Sequence, residues 1–406
     1  MAMVMVFAGA AFIAAEVDAG DTSAETQTYT YSQGVVVGAD GSISVGVLSD
    51  LQTALIDPKV TVINITADIV IPDNQAAIDD PADDKDTYAS CIVITKAVTI
   101  NGNDNEITWK AKDDGTRSGS VIRIQVPNAT DKVVINNLMI TNTGSAYTAA
   151  VVVASDVDLT MNEVTVESLN YGIMTFGGDV KITDSKVNAW GSVYIKEGTD
   201  SVKITGSKLD TFNIAGNAFN NFGALILETT TSCNVELDDV DITAINNNIN
   251  NSTAKANGII YSTGSGATVT GNVLLKNVTI DTSQFIGSQS AISLRVSDFD
   301  ESKTWNVKTT IEGVLTVNGD INLILETGTI TVDDTNYELT VGEYDSSVIL
   351  KDGASIETGA GDIIDAKIGY YAKSTDSTPK TAELNITAGS SGLTISKGSL
   401  KISGTG

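Results

Sequence analysis

Apolar residues recur along this chain in a short cassette: an apolar start position, another at plus two, a polar or bend-forming residue at plus four, and an apolar residue at plus seven. Val133, Ile135, Asn137 and Ile140 fill it once. Leu159, Met161, Glu163 and Val166 fill it again, followed by Val180, Ile182, Asp184 and Val187, and by Val202, Ile204, Gly206 and Leu209. The start positions lie 26, 21 and 22 residues apart. A spacing of two is the strand period, and Asn, Asp or Gly at plus four is bend chemistry, so each cassette predicts strand, corner, strand. Two such strands cannot bury an apolar face alone. Stacked coils can, and the expected fold is all-β, a parallel β-helix or β-solenoid.

The plus-two residues Ile135, Met161, Ile182 and Ile204 are expected to form one inward ladder, continued by Leu237 and Leu275 in later cassettes that begin at Val235 and Val273. The start-to-start spacing widens there to 33 and 38 residues, which predicts longer, irregular loops between coils. Three plus-ten residues, Leu169, Trp190 and Phe212, would lie above one another. An internal stack is favoured for them over an exposed sugar-binding strip, because aligned apolar side chains fill such a core.

The pattern divides the chain into an apolar segment at 1–20, a Thr, Ser and Gly-rich lead-in at 21–58, the solenoid at 59–300, and further coils or a β-sandwich-like extension at 301–406. Helical spacing is absent after the N-terminus. The run Met1 to Ala15 is shorter than the roughly 20 residues of a membrane span, and reads as a signal remnant or an assembly element.

Composition narrows the function. The chain of 406 residues carries 51 acidic and 24 basic side chains, a net charge of −27, which repels phosphate backbones and anionic lipid. Nucleic-acid and membrane-surface binding are therefore both disfavoured, and neither nucleic acid nor a membrane span is expected. Histidine is absent, which removes Ser-His and Cys-His nucleophile pairs and most zinc sites. The acidic loops Asp79 to Asp86 and Asp298 to Glu301 have the oxygen chemistry of calcium, but not the spacing of a calcium loop. They read as solvated loops, and no cofactor is expected.

Cys91 and Cys233 are the only cysteines, 142 residues apart in strand-like contexts. At about 4.8 Å per coil they are too distant for a bond within a narrow solenoid. They read either as buried thiols or as an intersubunit disulfide; an intrachain bond would require a wide hoop. Six asparagines occupy Asn-x-Ser/Thr sequons: Asn64, Asn128, Asn250, Asn251, Asn277 and Asn385. Asn64 and Asn385 fall in strand-like runs, which leaves Asn128, Asn250 and Asn251 as the glycosylation candidates.

The phrases VTINGNDNEI, VVINNLMI, VKITDSKV and VKITGSKL, within about residues 91 to 282, resemble the right-handed parallel β-helix superfamily of pectin-degrading enzymes and adhesin-like surface proteins. That resemblance implies fold more than activity. Pectin hydrolases of the family would bring Gly-His-Gly and Arg-Ile-Lys elements, whereas this chain has no histidine and reads Arg123-Ile124-Gln125. A lyase would need calcium-binding aspartates beside a basic side chain, and Asp184 and Asp239 sit on non-adjacent coils. An enzyme is not expected. The acidic, stackable, catalytically poor chain is similar to prokaryotic envelope proteins, including archaeal surface-layer, sheath and adhesin-like proteins. The similarity implies an extracellular structural protein whose partner is itself, as a filament, sheath or surface layer. An adhesin or carbohydrate-binding β-helix that contacts surface glycans is the second reading, and a polysaccharide lyase the third.

Overall fold

A computed structural model describes residues 4–8, 11–15, 27–75, 89–111, 119–144, 148–212, 222–229, 232–245, 255–261, 268–281, 288–294, 304–318, 321–325, 330–331, 337–341, 346–350, 355–358, 363–369, 384–385 and 399–405. Among them, 27 strands form one hydrogen-bonded sheet that winds into coils. Each complete coil gives a strand segment to each of three faces. Asp158–Asn162, Gly178–Thr183 and Thr199–Thr205 lie on the first face, Lys208–Phe212 and Asp241–Ile245 on the second, and Gly119–Ile124 and Ala149–Val153 on the third. Pairing between coils is parallel and persists through Ser399–Thr405, apart from the antiparallel pair Tyr337–Val341 and Ser346–Leu350. The protein is a parallel β-helix.

The cassette fixes the register. Val133, Leu159, Val180, Val202, Val235 and Val273 pair in succession, and so do Ile135, Met161, Ile182, Ile204, Leu237 and Leu275. Each of the second six is 0% exposed. Burying one such side chain stabilises by about 1.5–3 kcal/mol, so the stacked rows are the main source of cohesion. The plus-four residues make the corner. Asn137, Glu163, Asp184, Gly206, Asp239 and Asn277 all have φ between 46° and 58°. This left-handed conformation turns the strand from the first face onto the second within one residue, and among L-residues it suits Asn and Asp best. The corner amides are not wasted: Glu163, Asp184, Gly206 and Asp239 each donate to a carbonyl of the next coil. Ser185 and Ser207, one residue further on, add hydroxyl bonds from coil to coil.

Outside the first face, Asn162 donates its carboxamide to Asn136 at 2.9 Å, Asn136 to Asn101 at 3.0 Å, and Asn101 to Asn64 at 2.9 Å. Each bond spans one strand spacing and contributes about 1 kcal/mol net.

The N-terminal end differs from the sequence expectation in two ways. Ser42–Val45, inside the segment read as lead-in, already pairs in parallel with Val62–Ile65. Between them lies a helix, Leu48–Ile56, where no helical spacing was expected. Its Leu51, Ala54 and Leu55 are buried in the core, and Gln52 donates to the Cys91 carbonyl on an edge strand of the third face. The helix therefore closes the end of the core. It lacks a side-chain N-cap and a basic last turn, the two signals by which such an element is recognised. The missing cation arrives from the following coil: Lys96 Nζ donates to the Ala54 carbonyl at 3.0 Å, the Val60 carbonyl at 2.6 Å, and the Asp57 carbonyl. Burial pulls this ammonium down to about 8, and the Asp57 carboxylate opposes that shift. The apolar segment forms an antiparallel hairpin of Val4–Ala8 with Ala11–Ala15, in a two-stranded sheet of its own.

The internal stack of Leu169, Trp190 and Phe212 is not formed. Leu169 is 46% exposed, and Trp190 lies outside the central core against Tyr171. The cause is strand alternation: Val166, Val187 and Leu209 point into the core, so the residues three positions on, Leu169, Trp190 and Phe212, fall on the outward side.

Candidate functional site

The third face is largely buried on its outward side as well: Arg123, Val152, Met174 and Ile226 are each 3% exposed or less. Val93, Arg123, Val152, Met174, Tyr194 and Ile226 occupy one outward row in register across six coils. On the first face the corresponding outward positions include Lys181, Lys203 and Glu236. Strands that read CIVI, AAVVV and GALIL are apolar on both sides, the pattern of a strand covered on both faces. Ala149, Val152 and Met174 form an apolar cluster separate from the central core, packed against Tyr171, Phe176 and Tyr194.

Four aromatic rings gather on this floor. Tyr171 meets Trp190 edge-on with centroids 5.4 Å apart, and meets Tyr194 at 5.2 Å with a tilt of 41°. Gly191 makes room for the arrangement, since a Cβ there would lie 3.0 Å from the Tyr171 ring. Lys196 Nζ stands 5.3 Å from both the Phe176 and the Tyr194 centroids, a cation over two ring faces. Tyr194 donates its hydroxyl to the Glu228 carboxylate on the neighbouring coil. Tyr171, Phe176 and Tyr194 are partly exposed, whereas Trp190 is 5% exposed and packs against Tyr171. Ring faces beside a carboxylate and an ammonium can hold a ligand that is apolar on one side and rich in hydroxyls at its edge.

The sequence candidates lie elsewhere. Ile135, Met161, Ile182, Ile204, Leu237 and Leu275 line the interior. Asn128 is exposed in a turn, its carboxamide 3.2 Å from the Asp131 carboxylate. Asn250, Asn251 and both acidic loops fall outside the described residues. Asp184 and Asp239 occupy corners two coils apart with Gly206 between them, and among the described residues no three acidic or cysteine side chains converge as metal ligands. That corner column borders a shallow hollow of about 360 Å³, where Lys186 and Lys208 alternate with Glu163, Asp184, Asp239 and Asp241. Sequence reasoning missed Tyr171, Phe176, Tyr194, Lys196 and Glu228, although the two-sided apolar runs were a usable signal.

Cys91 and Cys233 are buried thiols, each 0% exposed and part of the central core. Five strand spacings separate their coils, about 24 Å, far beyond disulfide reach. Burial, followed by the Asp200 and Asp179 carboxylates, pushes the Cys233 thiol up to about 12 from 9.0. The folded chain thus holds this proton to higher pH than the unfolded chain. The resulting stability is present below pH 9 and is lost as pH rises towards 12. Native protein should therefore resist thiol reagents at pH 8 and expose two reactive thiols only on denaturation. Rapid labelling of either cysteine in folded protein, or a reductant-sensitive multimer, would contradict this burial.

Residues 43–174 match the family model of a pectate lyase-like adhesive domain. The matched segment runs from the first coil to the aromatic face, ending at Met174. Among solved structures the chain is similar to SRRP from L. reuteri 53608, with 12% identity, a TM-score of 0.38, and coverage of 89% of this chain and 99% of that one. No curated protein matches it.

Proposed function

We propose that this chain is a cell-surface adhesive β-helix that binds glycans through the outer aromatic surface of its third face. The observation that carries the reading is the ring group Tyr171, Trp190 and Tyr194, set over an apolar floor and edged by Lys196 and Glu228. Sugars offer apolar C–H faces to rings and hydroxyls to charged edges, and a preformed platform lowers the ordering cost of binding. The match to an adhesive domain model supports the same reading, as does a histidine-free sequence. Arg123, the basic residue nearest the family's catalytic phrase, is 2% exposed, which suits a supporting role better than proton abstraction. The site is extracellular in this reading.

Self-assembly into a sheath or filament is the other reading of the sequence. The capping helix Leu48–Ile56 counts against end-to-end stacking through that end, because it covers the core that a second copy would extend.

On a glycan array, Tyr171→Ala and Tyr194→Ala should each weaken retained binding at least tenfold, which corresponds to about 1.4 kcal/mol. Lys203→Ala on the first face should leave binding unchanged. Equal binding by all three variants sinks the assignment of the third face. In electron micrographs, separate rods are expected, and regular polymers would restore the assembly reading.

A further inference from the structure

We propose that Asn128 is an N-glycan attachment site, and that the other two sequons with described side chains, at Asn64 and Asn277, stay unmodified. The inference rests on the extracellular reading above, but not on the aromatic face. The three share the Asn-x-Thr motif, and their surroundings separate them.

Asn128 lies between the third-face strand Gly119–Ile124 and the first-face strand Lys132–Asn142, in a turn closed by the Asp131 amide bonding to the Asn128 carbonyl at 3.0 Å. Pro127, Asn128, Ala129 and Thr130 are all exposed. Both groups that define the motif, the carboxamide and the hydroxyl two residues on, thus face solvent in a bend, where a transferase can reach them. A carboxamide nitrogen has two protons, and glycosylation uses one. The other can keep the bond to Asp131, which spans 3.2 Å. Modification therefore breaks no contact of this turn.

The other two sequons are built into coils. Asn64 is mid-strand, its carboxamide oxygen accepts from Asn101, and its motif hydroxyl, Thr66, donates to the Val45 carbonyl at 3.1 Å. Asn277 forms a left-handed corner, and its carboxamide oxygen accepts from the Val314 amide at 3.3 Å. That side chain fills the notch above Gly313, where an added Cβ would lie 2.2 Å from the Asn277 oxygen. Both acceptor oxygens would survive glycosylation, but neither sequon has a free bend to offer a transferase: Asn64 is paired on both sides, with Ser44 and Asn101, and Asn277 is flanked by Lys276 and Val278, which both pair with the next coil.

The co-reactant is an oligosaccharide joined through its first carbon to a lipid-linked pyrophosphate. The Asn128 nitrogen forms the bond to that carbon, the carbon–oxygen bond to the pyrophosphate breaks, and the lipid pyrophosphate leaves with its electron pair. The displaced carboxamide proton passes to a base of the transferase, and no oxidation occurs.

Mass spectrometry of protein isolated from cells that express it naturally tests the site. Trypsin releases Ile124 to Lys132 as one peptide with one sequon. The expected result is a glycan mass on this peptide, retained in Thr130→Ser and lost in Thr130→Ala, with unmodified peptides around Asn64 and Asn277. An unmodified Ile124 to Lys132 peptide from surface-exposed protein overturns the proposal and leaves the adhesive reading standing. The same result from protein confined to the cytoplasm overturns both. Sugar at Asn64 or Asn277 overturns the argument from coil contacts.

Discussion

Ile182→Asp should abolish cooperative folding of the central coils. Ile182 is 0% exposed and stacks between Met161 and Ile204 in the inward ladder. The substitution removes buried apolar volume and places a carboxylate where the surrounding core cluster offers only hydrocarbon and thioether. Loss of the side chain alone costs about 2–5 kcal/mol, and an uncompensated charge adds several more. The total rivals the whole stability of a typical domain, about 5–15 kcal/mol. Circular dichroism and denaturant titration provide the measurement. A soluble variant with an unchanged unfolding midpoint would mean that the ladder register is wrong.

Gly178→Ala should be nearly as damaging, for a different reason. Gly178 has φ +69°, and a Cβ there would lie 2.2 Å from the Val157 carbonyl oxygen and 2.3 Å from the Val157 nitrogen. These are backbone atoms of the preceding coil, and they cannot rotate away as a side chain could. Asp179 donates to the same Val157 oxygen at 3.0 Å, so relieving the clash pulls apart a rung. Gly34→Ala supplies the comparison, because Gly34 also has positive φ, +90°, but nothing lies within 4 Å of its added Cβ. Left-handed strain alone costs about 1–2 kcal/mol. Gly178→Ala is expected to lose roughly 3 kcal/mol or more, as overpacking adds to that strain. Equal losses in the two variants would show that contact between coils is not what excludes a side chain at Gly178.

The coils were legible in the sequence because one physical requirement repeats with little variation. Asn137, Glu163, Asp184, Gly206, Asp239 and Asn277 were recognised as bends from their chemistry and spacing, and each adopts the left-handed conformation. The plus-ten rule failed on alternation: three positions after the inward Val166, Val187 and Leu209, a strand residue faces outward. The aromatic face was hidden by the register shift between Ser168 and Tyr171, since Tyr171 and Tyr194 come together only through the paired strands and the space left at Gly191. The capping helix was hidden for a related reason. Its C-terminal partner is Lys96, some 40 residues away, and no local motif announces a cap supplied by the next coil.

The parallel ladders also set how the molecule behaves under load. Hydrogen bonds between coils run along the axis, so tension along that axis pulls each rung directly away from the next. Rungs then yield one at a time from an end rather than shearing together. A coil of 22 residues, such as Val180 to Val202, occupies about 4.8 Å along the axis. Drawn straight, the same 22 residues reach about 75 Å. Each coil that peels away therefore gives about fifteen times its own length while the remaining coils keep their shape. In the adhesive reading proposed above, this makes the stack a force-limiting tether as well as a scaffold.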